Sequence, residues 1–504
     1  MSMVRVMRID QWLSKIEEKF PKKIAIIFKD NKWTYSELNK LIDETAAYLQ
    51  NTCKLNVGDR FCFYGHNNPE QIILLFAASK IGAIIFPINW RLANPEIEYQ
   101  IKNSKPKFIF FDTRFEKNLS NINLVSNIKT IPINGSIKVN KPLFERRKNK
   151  SKIESSEVTD LPLLLVYSSG TTGKPKGALL SQQSIIANAK MSHNAHSLQA
   201  SDKSLIFLPL FHVGGINILF LPSLFVGATS ILQEKFESDL AIQNIEKYKI
   251  TQMLTVPTIL DQIISNERWQ NIDRNSIKTI SIGSTSVPLM LIKSLHACKI
   301  PIIQIYGATE TGPIAIYQKI KDAYKTEGSI GRVGLHCKVK LVDDSLKEVK
   351  TGTPGQILVK GENILSCYWE DAQSTKESII DGWFLTGDIA KVDKQGNYWF
   401  IDRIKNVIIS GGENIYPAEL EVILKGNGLL KEFSIVGKKD LVWGEVPVII
   451  AVKQTEKINK DKILEFFEGQ VAKYKIPKDI IFVDNLPKNA LGKIMVDEVK
   501  KLAK

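Results

Sequence analysis

Between residues 20 and 310 the chain alternates stretches of helical spacing with short, mostly apolar runs. Ile84-Ile85-Phe86-Pro87-Ile88, Phe108-Ile109-Phe110-Phe111 and 206–208 are wholly apolar, and 230–232, 252–255, 279–282 and 302–305 are strand-like, each with a Ser, Thr or Gln among apolar residues. A strand with no polar alternation has both faces buried, so helices must cover both sides of a largely parallel sheet. Thr34-Tyr35-Ser36-Glu37-Leu38 reads as a helix start capped by Thr34 or Ser36 and leading into Leu41 to Leu49, and Gln71 to Ile85 is densely apolar. After 330 the texture changes. Runs at 338–342, 356–360 and 398–401 are separated by turn clusters such as Thr351-Gly352-Thr353-Pro354-Gly355, which is the spacing of a β meander. Asp402 to Asn406 is a polar hinge candidate. Beyond it the pattern predicts a helix near Pro417 to Leu424, strands at 433–436 and 446–452, and a helix near Lys460 to Tyr474. The expected fold class is therefore α/β. Residues 1–404 form a large domain of two parallel-type α/β subdomains plus a β-rich subdomain, and 405–504 form a small, mobile α+β domain.

With 504 residues the chain exceeds one ordinary core, and 44% hydrophobic with 24% charged residues is the balance of a soluble globular protein. The five cysteines are odd in number and show no C-x-x-C spacing, which argues against a disulfide framework or zinc knuckle and fits a reducing cytoplasm. The N-terminus shows no apolar stretch followed by a small-residue cleavage site, so no secretory signal is expected. Leu205 to Leu232 is the best membrane-span candidate, but prolines, glycines and polar residues break it into strand-length pieces. The net charge of +15 is spread widely, with one dense block from Lys138 to Lys152. A solvated linker is the favoured reading of that block, and a patch for peripheral contact with anionic membrane lipid or nucleic acid is the other. No zinc-finger spacing or ribonucleoprotein signature accompanies the charge, so nucleic acid is not expected as the main partner.

Tyr167-Ser168-Ser169-Gly170-Thr171-Thr172-Gly173-Lys174-Pro175-Lys176-Gly177 follows the apolar run at 161–166. Glycines bring backbone N–H groups close to a ligand, hydroxyls donate to phosphate oxygens, and lysines offset negative charge, so the loop reads as a polyphosphate cradle. It lacks the Walker A spacing. Six further motifs follow in order. They are Phe207 to Gly215 (FLPLFHVGG), Gly283 to Pro288 (GSTSVP), Tyr306 to Gly312 (YGATETG), Trp383 to Asp388 (WFLTGD), Ser410 to Glu419 (SGGENIYPAE) and Leu486 to Ile494 (LPKNALGKI).

Taken together, these motifs closely resemble the adenylate-forming enzymes, specifically their acyl-CoA synthetase branch, from about Trp33 to Lys493. The resemblance implies ATP-dependent attack of a carboxylate on the α-phosphorus, giving acyl-AMP and pyrophosphate, then transfer to coenzyme A with release of AMP. It implies that Thr171, Thr172, Gly173 and Lys176 hold the β- and γ-phosphates. Glu310 would hold Mg²⁺, with Thr171 also at the metal and Thr309 on the phosphates, because a carboxylate completed by phosphate oxygens and waters suits magnesium. Tyr306 would stack on adenine, with Gly307 beside it and Gly283, Ser284 and Thr285 lining the base. Family members commonly carry Gly-Gly-Ala-Pro where this chain has Ser-Thr-Ser, so backbone contacts carry over better than side chains there. Asp388 and Arg403 match the ribose-binding pair. Lys493 matches the lysine that bridges the carboxylate and the α-phosphate. Lys405 matches the hinge residue, and Gly411, Gly412 and Asn414 lie in the segment presented to the thiol after the small domain turns.

The resemblance also sets the acyl pocket. His212 would stand at its floor, with Phe211, Val213, Gly214, Gly215, Ile216, Gln304, Ala308 and Ile282 around it. A lone His among apolar residues is also compatible with simple packing. Phe211 to Leu221 contains no Asp, Glu, Lys or Arg, which argues against an amino-acid substrate. The motifs Ile88 to Leu92 and Gly411 to Pro417 lean toward a fatty acid. Aryl acids of the benzoate, coumarate or succinylbenzoate type form the alternative, and a non-enzymatic acyl-nucleotide-binding regulator is a second one.

Overall fold

A computed structural model of the chain describes residues 7–124, 127–133, 160–168, 175–283, 287–410, 413–425, 428–455, 458, 460–468, 470–489 and 492–503. The basic block from Lys138 to Lys152 lies outside the described residues. Residues 1–339 with 359–384 form one compact unit, and 340–358 with 385–504 form a second.

The larger unit contains two extended sheets. A nine-stranded sheet has six parallel strands at its centre, in the order Ile302–Tyr306, Thr279–Gly283, Gln252–Thr255, Lys203–Ile206, Thr229–Leu232 and Ile24–Phe28. Antiparallel strands finish both edges. A seven-stranded sheet runs Cys367–Tyr368, Lys176–Ser181, Pro162–Ser168, Ile84–Ile88, Arg60–Tyr64, Phe108–Asp112 and Lys129–Ile133; the last five are parallel. The apolar runs are thus buried strands. Lys203–Ile206 sits a few residues earlier than expected.

Helix boundaries follow local chemistry. Tyr35–Asn51 starts at Thr34, whose Oγ1 accepts from Glu37 N at 3.2 Å while Glu37 Oε2 accepts from Thr34 N at 2.8 Å. Pro69–Ile81 starts at Asn68 and stops at Gly82, whose φ of 74° admits glycine readily. Lys80 alone in that helix escapes full burial, so the helix belongs to the interior and its dense apolar sequence needs no polar face. The segment from 205 to 232 folds as a strand end, a π-helix over Gly214–Phe220, a short helix over Leu221–Phe225 and the next strand. Among the described residues no helix is long and apolar enough to cross a membrane. All five cysteines are free.

A further five-stranded sheet holds Cys337–Val342, Gly355–Gly361, Trp383–Val392, Ile379–Ile380 and Tyr398–Arg403, the expected meander. The last five-stranded sheet belongs to the C-terminal segment, with Gly444–Lys453 at its centre, Leu430–Asp440 paired along one side of it, and helices Pro417–Leu424, Lys460–Glu465 and Val496–Leu502. The helix expected to reach Tyr474 stops at Glu465. From there Phe466, Phe467 and Glu468 each donate to the carbonyl three residues back, which tightens the chain out of α geometry.

Candidate active site

In the larger unit the expected phosphate and metal residues come from strand ends, where parallel sheets present ligands. Ser168 closes the strand Pro162–Ser168, and Lys176 opens the antiparallel strand that returns from the loop. Gly283 ends its strand only 2.6 Å, measured from a would-be Cβ, from Ile305 O, so only glycine allows the neighbouring strand that close. Tyr306 ends the next strand, and a Cβ on Gly307 would lie 1.9 Å from Pro313 O. The chain then tightens into a 3-10 turn, Thr309–Thr311, secured by Ala308 N donating to Thr311 Oγ1 at 2.9 Å. Glu310 sits on that turn, buried, with Oε1 accepting from Ser168 Oγ and from Tyr368 OH, both at 3.0 Å. No described residue donates to Oε2. One carboxylate oxygen left over among oxygen donors is a donor set that fits a hard divalent cation.

Three asparagines absent from the sequence expectations support this turn. Asn363 Nδ2 donates to Thr311 O and Ile314 O, each at 2.8 Å. Asn188 Oδ1 accepts from Ile314 N at 2.9 Å, and its Nδ2 donates to Asn217 O at 2.6 Å. Asn217 Nδ2 donates to Gly312 O at 3.0 Å. All three are buried, so each amide meets backbone groups that would otherwise be stranded. Asn217 belongs to the π-helix that follows His212, so the motif expected to form the acyl pocket and the Glu310 turn are tied together. A lone Asn between Ile216 and Ile218 was a visible signal for one of them.

The pocket motif is organised by close backbone contact. A Cβ on Gly215 would stand 2.2 Å from Pro209 O, while one on Gly214 would meet only Ile218 at 4.0 Å. Gly215 therefore permits the turn and Gly214 leaves open space. Val213 and Ile216 pack into the main core. Phe211 is edge-on to Trp90 at 6.4 Å, with the Arg91 guanidinium 4.9 Å from the Trp90 ring and 5.9 Å from Phe211. Burial, and then the Arg91 cation, lower the His212 imidazole to about 4, so it is neutral at physiological pH. His212 is only partly exposed to solvent. Ile282 lies in the hydrophobic core. Gln304 is buried with its amide committed to Ser329 O at 2.8 Å, so that donor is spent within the fold.

The smaller unit gathers the other expected residues. Asp388 faces Arg403 across the hairpin of Trp383–Val392 and Tyr398–Arg403, with Arg403 Nε 3.1 Å from Asp388 Oδ1. Lys493 lies in the field of the same pair. It retains exposed surface, yet its ammonium is lowered to about 8 by crowding first and by the Arg403 cation second; Asp388 opposes and Lys405 adds. Lys405 Nζ is 3.2 Å from Asp497 Oδ2, and its carbonyl accepts from Lys500 Nζ at 2.9 Å. Buried Asp402 is a residue whose role the sequence did not disclose: it accepts from Arg403 N, Asn406 Nδ2 and Ala418 N at 2.7, 3.1 and 2.8 Å. Asn414 is exposed on a short hairpin, opposite Ile409.

Thr171, Thr172, Gly173, Ser284, Thr285, Gly411 and Gly412 lie outside the described residues. His66, Asp112 and Glu234 also converge. Arg114 pairs with Asp112 and Glu234, and Lys29 pairs with Glu234, so the group is an ion network already supplied with cations.

Residues 13–369 match the family described as AMP-binding enzyme, and 419–493 match the AMP-binding enzyme C-terminal domain. The chain is 40% identical over 506 aligned positions to indoleacetate–CoA ligase of Aromatoleum aromaticum, with 98% of each chain covered. It is similar to the solved O-succinylbenzoate coenzyme A synthetase from Bacillus subtilis in complex with ATP and magnesium ion (TM-score 0.85, 28% identity, 97% and 99% coverage). It is also similar to the solved fatty acyl CoA synthetase from Mycobacterium tuberculosis (TM-score 0.78, 27% identity, 98% of each chain). The chain belongs to the AMP-binding, adenylate-forming enzyme family. It is an AMP-forming acid–thiol ligase, built as a large α/β N-terminal part and a smaller C-terminal part.

Proposed function

We propose that the protein activates an aryl or arylalkanoic acid, of the indoleacetate kind, to acyl-AMP and passes the acyl group to coenzyme A. The observation that carries this reading is the end-to-end likeness, at 40% identity, to a ligase named for indoleacetate. It replaces the lean toward fatty acids drawn from Ile88 to Leu92 and Gly411 to Pro417. Likeness to both an O-succinylbenzoate and a fatty acyl CoA synthetase supports reading such motifs as following the reaction rather than the acid.

In this reading Lys176 and the Thr171 to Gly173 loop hold the β- and γ-phosphates, and Glu310 Oε2 holds Mg²⁺, which screens phosphate charge during attack. Asp388 and Arg403 hold the ribose, and Tyr306 stacks on the base. Lys493 neutralises charge on the carboxylate and α-phosphate as the new bond forms. His212, neutral, orients the acid without adding charge, and Gly214 leaves room for a ring. A turn about Lys405 separates adenylation from thiolation. The enzyme acts in the cytoplasm.

The test is a panel of indoleacetate, phenylacetate, benzoate, coumarate, succinylbenzoate, octanoate and palmitate with ATP, Mg²⁺ and coenzyme A, ranked by kcat/KM. The account expects an aryl or arylalkanoic acid to lead by at least about tenfold, the discrimination that a few apolar contacts supply. A fatty acid at the head of the ranking overturns it.

A further inference from the structure

The two donors on Glu310 Oε1 come from different strands. Ser168 ends one strand of the seven-stranded sheet; Tyr368 lies at its edge, on a strand paired antiparallel with Lys176–Ser181. The same Tyr368 ring faces the Lys176 ammonium, Nζ standing 5.4 Å from its centroid. The residues around Tyr368 bond first to the Glu310 turn and then to the strand that carries Lys176. Asn363 holds Thr311 O and Ile314 O, and Leu365 N donates to Glu310 O at 2.8 Å. Ser366 N donates to Leu179 O at 2.8 Å, and Trp369 N to Gly177 O at 2.7 Å.

We propose that Asn363 to Trp369 is a positioning strap in which Tyr368 sets both halves of the metal–phosphate site: its hydroxyl turns the Glu310 carboxylate so that Oε2 is presented to the cation, and its ring seats Lys176. The proposal rests on the reading of Glu310 as the metal holder and Lys176 as a phosphate holder. A carboxylate with two hydroxyl donors on one oxygen loses both if it rotates, so its free oxygen keeps a fixed direction. Partners of this kind commonly govern metal affinity although they never touch the ion. The ring offers Lys176 a cation–π contact that directs the ammonium without neutralising it.

Mn²⁺ binding to the full-length enzyme with saturating ATP, followed by electron paramagnetic resonance of the free ion, tests this apart from turnover. Tyr368→Phe keeps the ring and removes the donor, and should weaken Mn²⁺ binding about tenfold with the thermal midpoint unchanged. Tyr368→Leu should in addition weaken metal-free ATP binding. Wild-type Mn²⁺ affinity in Tyr368→Phe, with affinity lost in Glu310→Gln, overturns the strap and leaves the Glu310 assignment standing. Wild-type affinity in Glu310→Gln overturns that assignment and the strap with it. Should Tyr368→Phe fail to fold, Ser168→Ala decides, since it removes the other donor; unchanged Mn²⁺ affinity there counts against the proposal.

Discussion

In the proposed reading the adenylation step depends most on Lys493. Its ammonium is useful only while charged, and the lowered value near 8 means that it loses its proton as pH rises through that region, well before an ordinary lysine would. The kcat/KM for adenylation should therefore show an alkaline limb near pH 8, while thiolation of supplied acyl-AMP should not. A rate constant that stays level to pH 9 contradicts the lowered value of this ammonium. Lys493→Ala should cost adenylation about 10²–10³-fold and leave thiolation largely intact, since one well-placed charge supplies that much. Equal loss in both half-reactions would argue that the lysine acts through the fold. His212 behaves differently, because burial keeps it neutral down to about 4 and no limb between pH 5 and 7 should be traced to it.

At the scale of elements, glycines at strand ends and turns decide whether the site can form. A Cβ on Gly307 would collide with Pro313 O at 1.9 Å and Thr311 Oγ1 at 2.7 Å, so Gly307→Ala must push the Glu310 turn outward. Denaturant unfolding should register about 1–3 kcal/mol of lost stability, the usual cost of overpacking, together with weakened ATP binding. Unaltered stability would mean that the turn has slack the geometry does not show. The strands themselves were legible because short, mostly apolar runs have few other places to go, and the start of Tyr35–Asn51 because Thr34 and Glu37 stand at capping-box spacing. The asparagine brace was not legible. Asn363 bonds carbonyls 52 and 49 residues away, and nothing local marks a side chain whose partners are distant backbone atoms. The helix expected to Tyr474 failed for the opposite reason: local composition continued to favour helix where the chain had already tightened at Phe466.

At the scale of the whole molecule, order of motifs carried the functional reading more securely than any one of them. The family and its reaction were legible in seven motifs; the acid was not, because the proposed pocket residues, such as Gly214 and His212, state room and neutrality without stating shape. The hinge reading makes its own prediction. Lys405 is held at its side chain by Asp497 and at its carbonyl by Lys500. Lys405→Pro, which fixes φ, should depress thiolation more than adenylation. Identical effects on both would show that the pivot lies elsewhere. The central claim, that a carboxylate attacks the α-phosphorus of ATP, is tested most directly with the best acid of the panel labelled with ¹⁸O in its carboxyl group. After turnover with ATP and coenzyme A, mass spectrometry should find one labelled oxygen in AMP and none in pyrophosphate. Unlabelled AMP, or label in pyrophosphate or orthophosphate, would contradict the account.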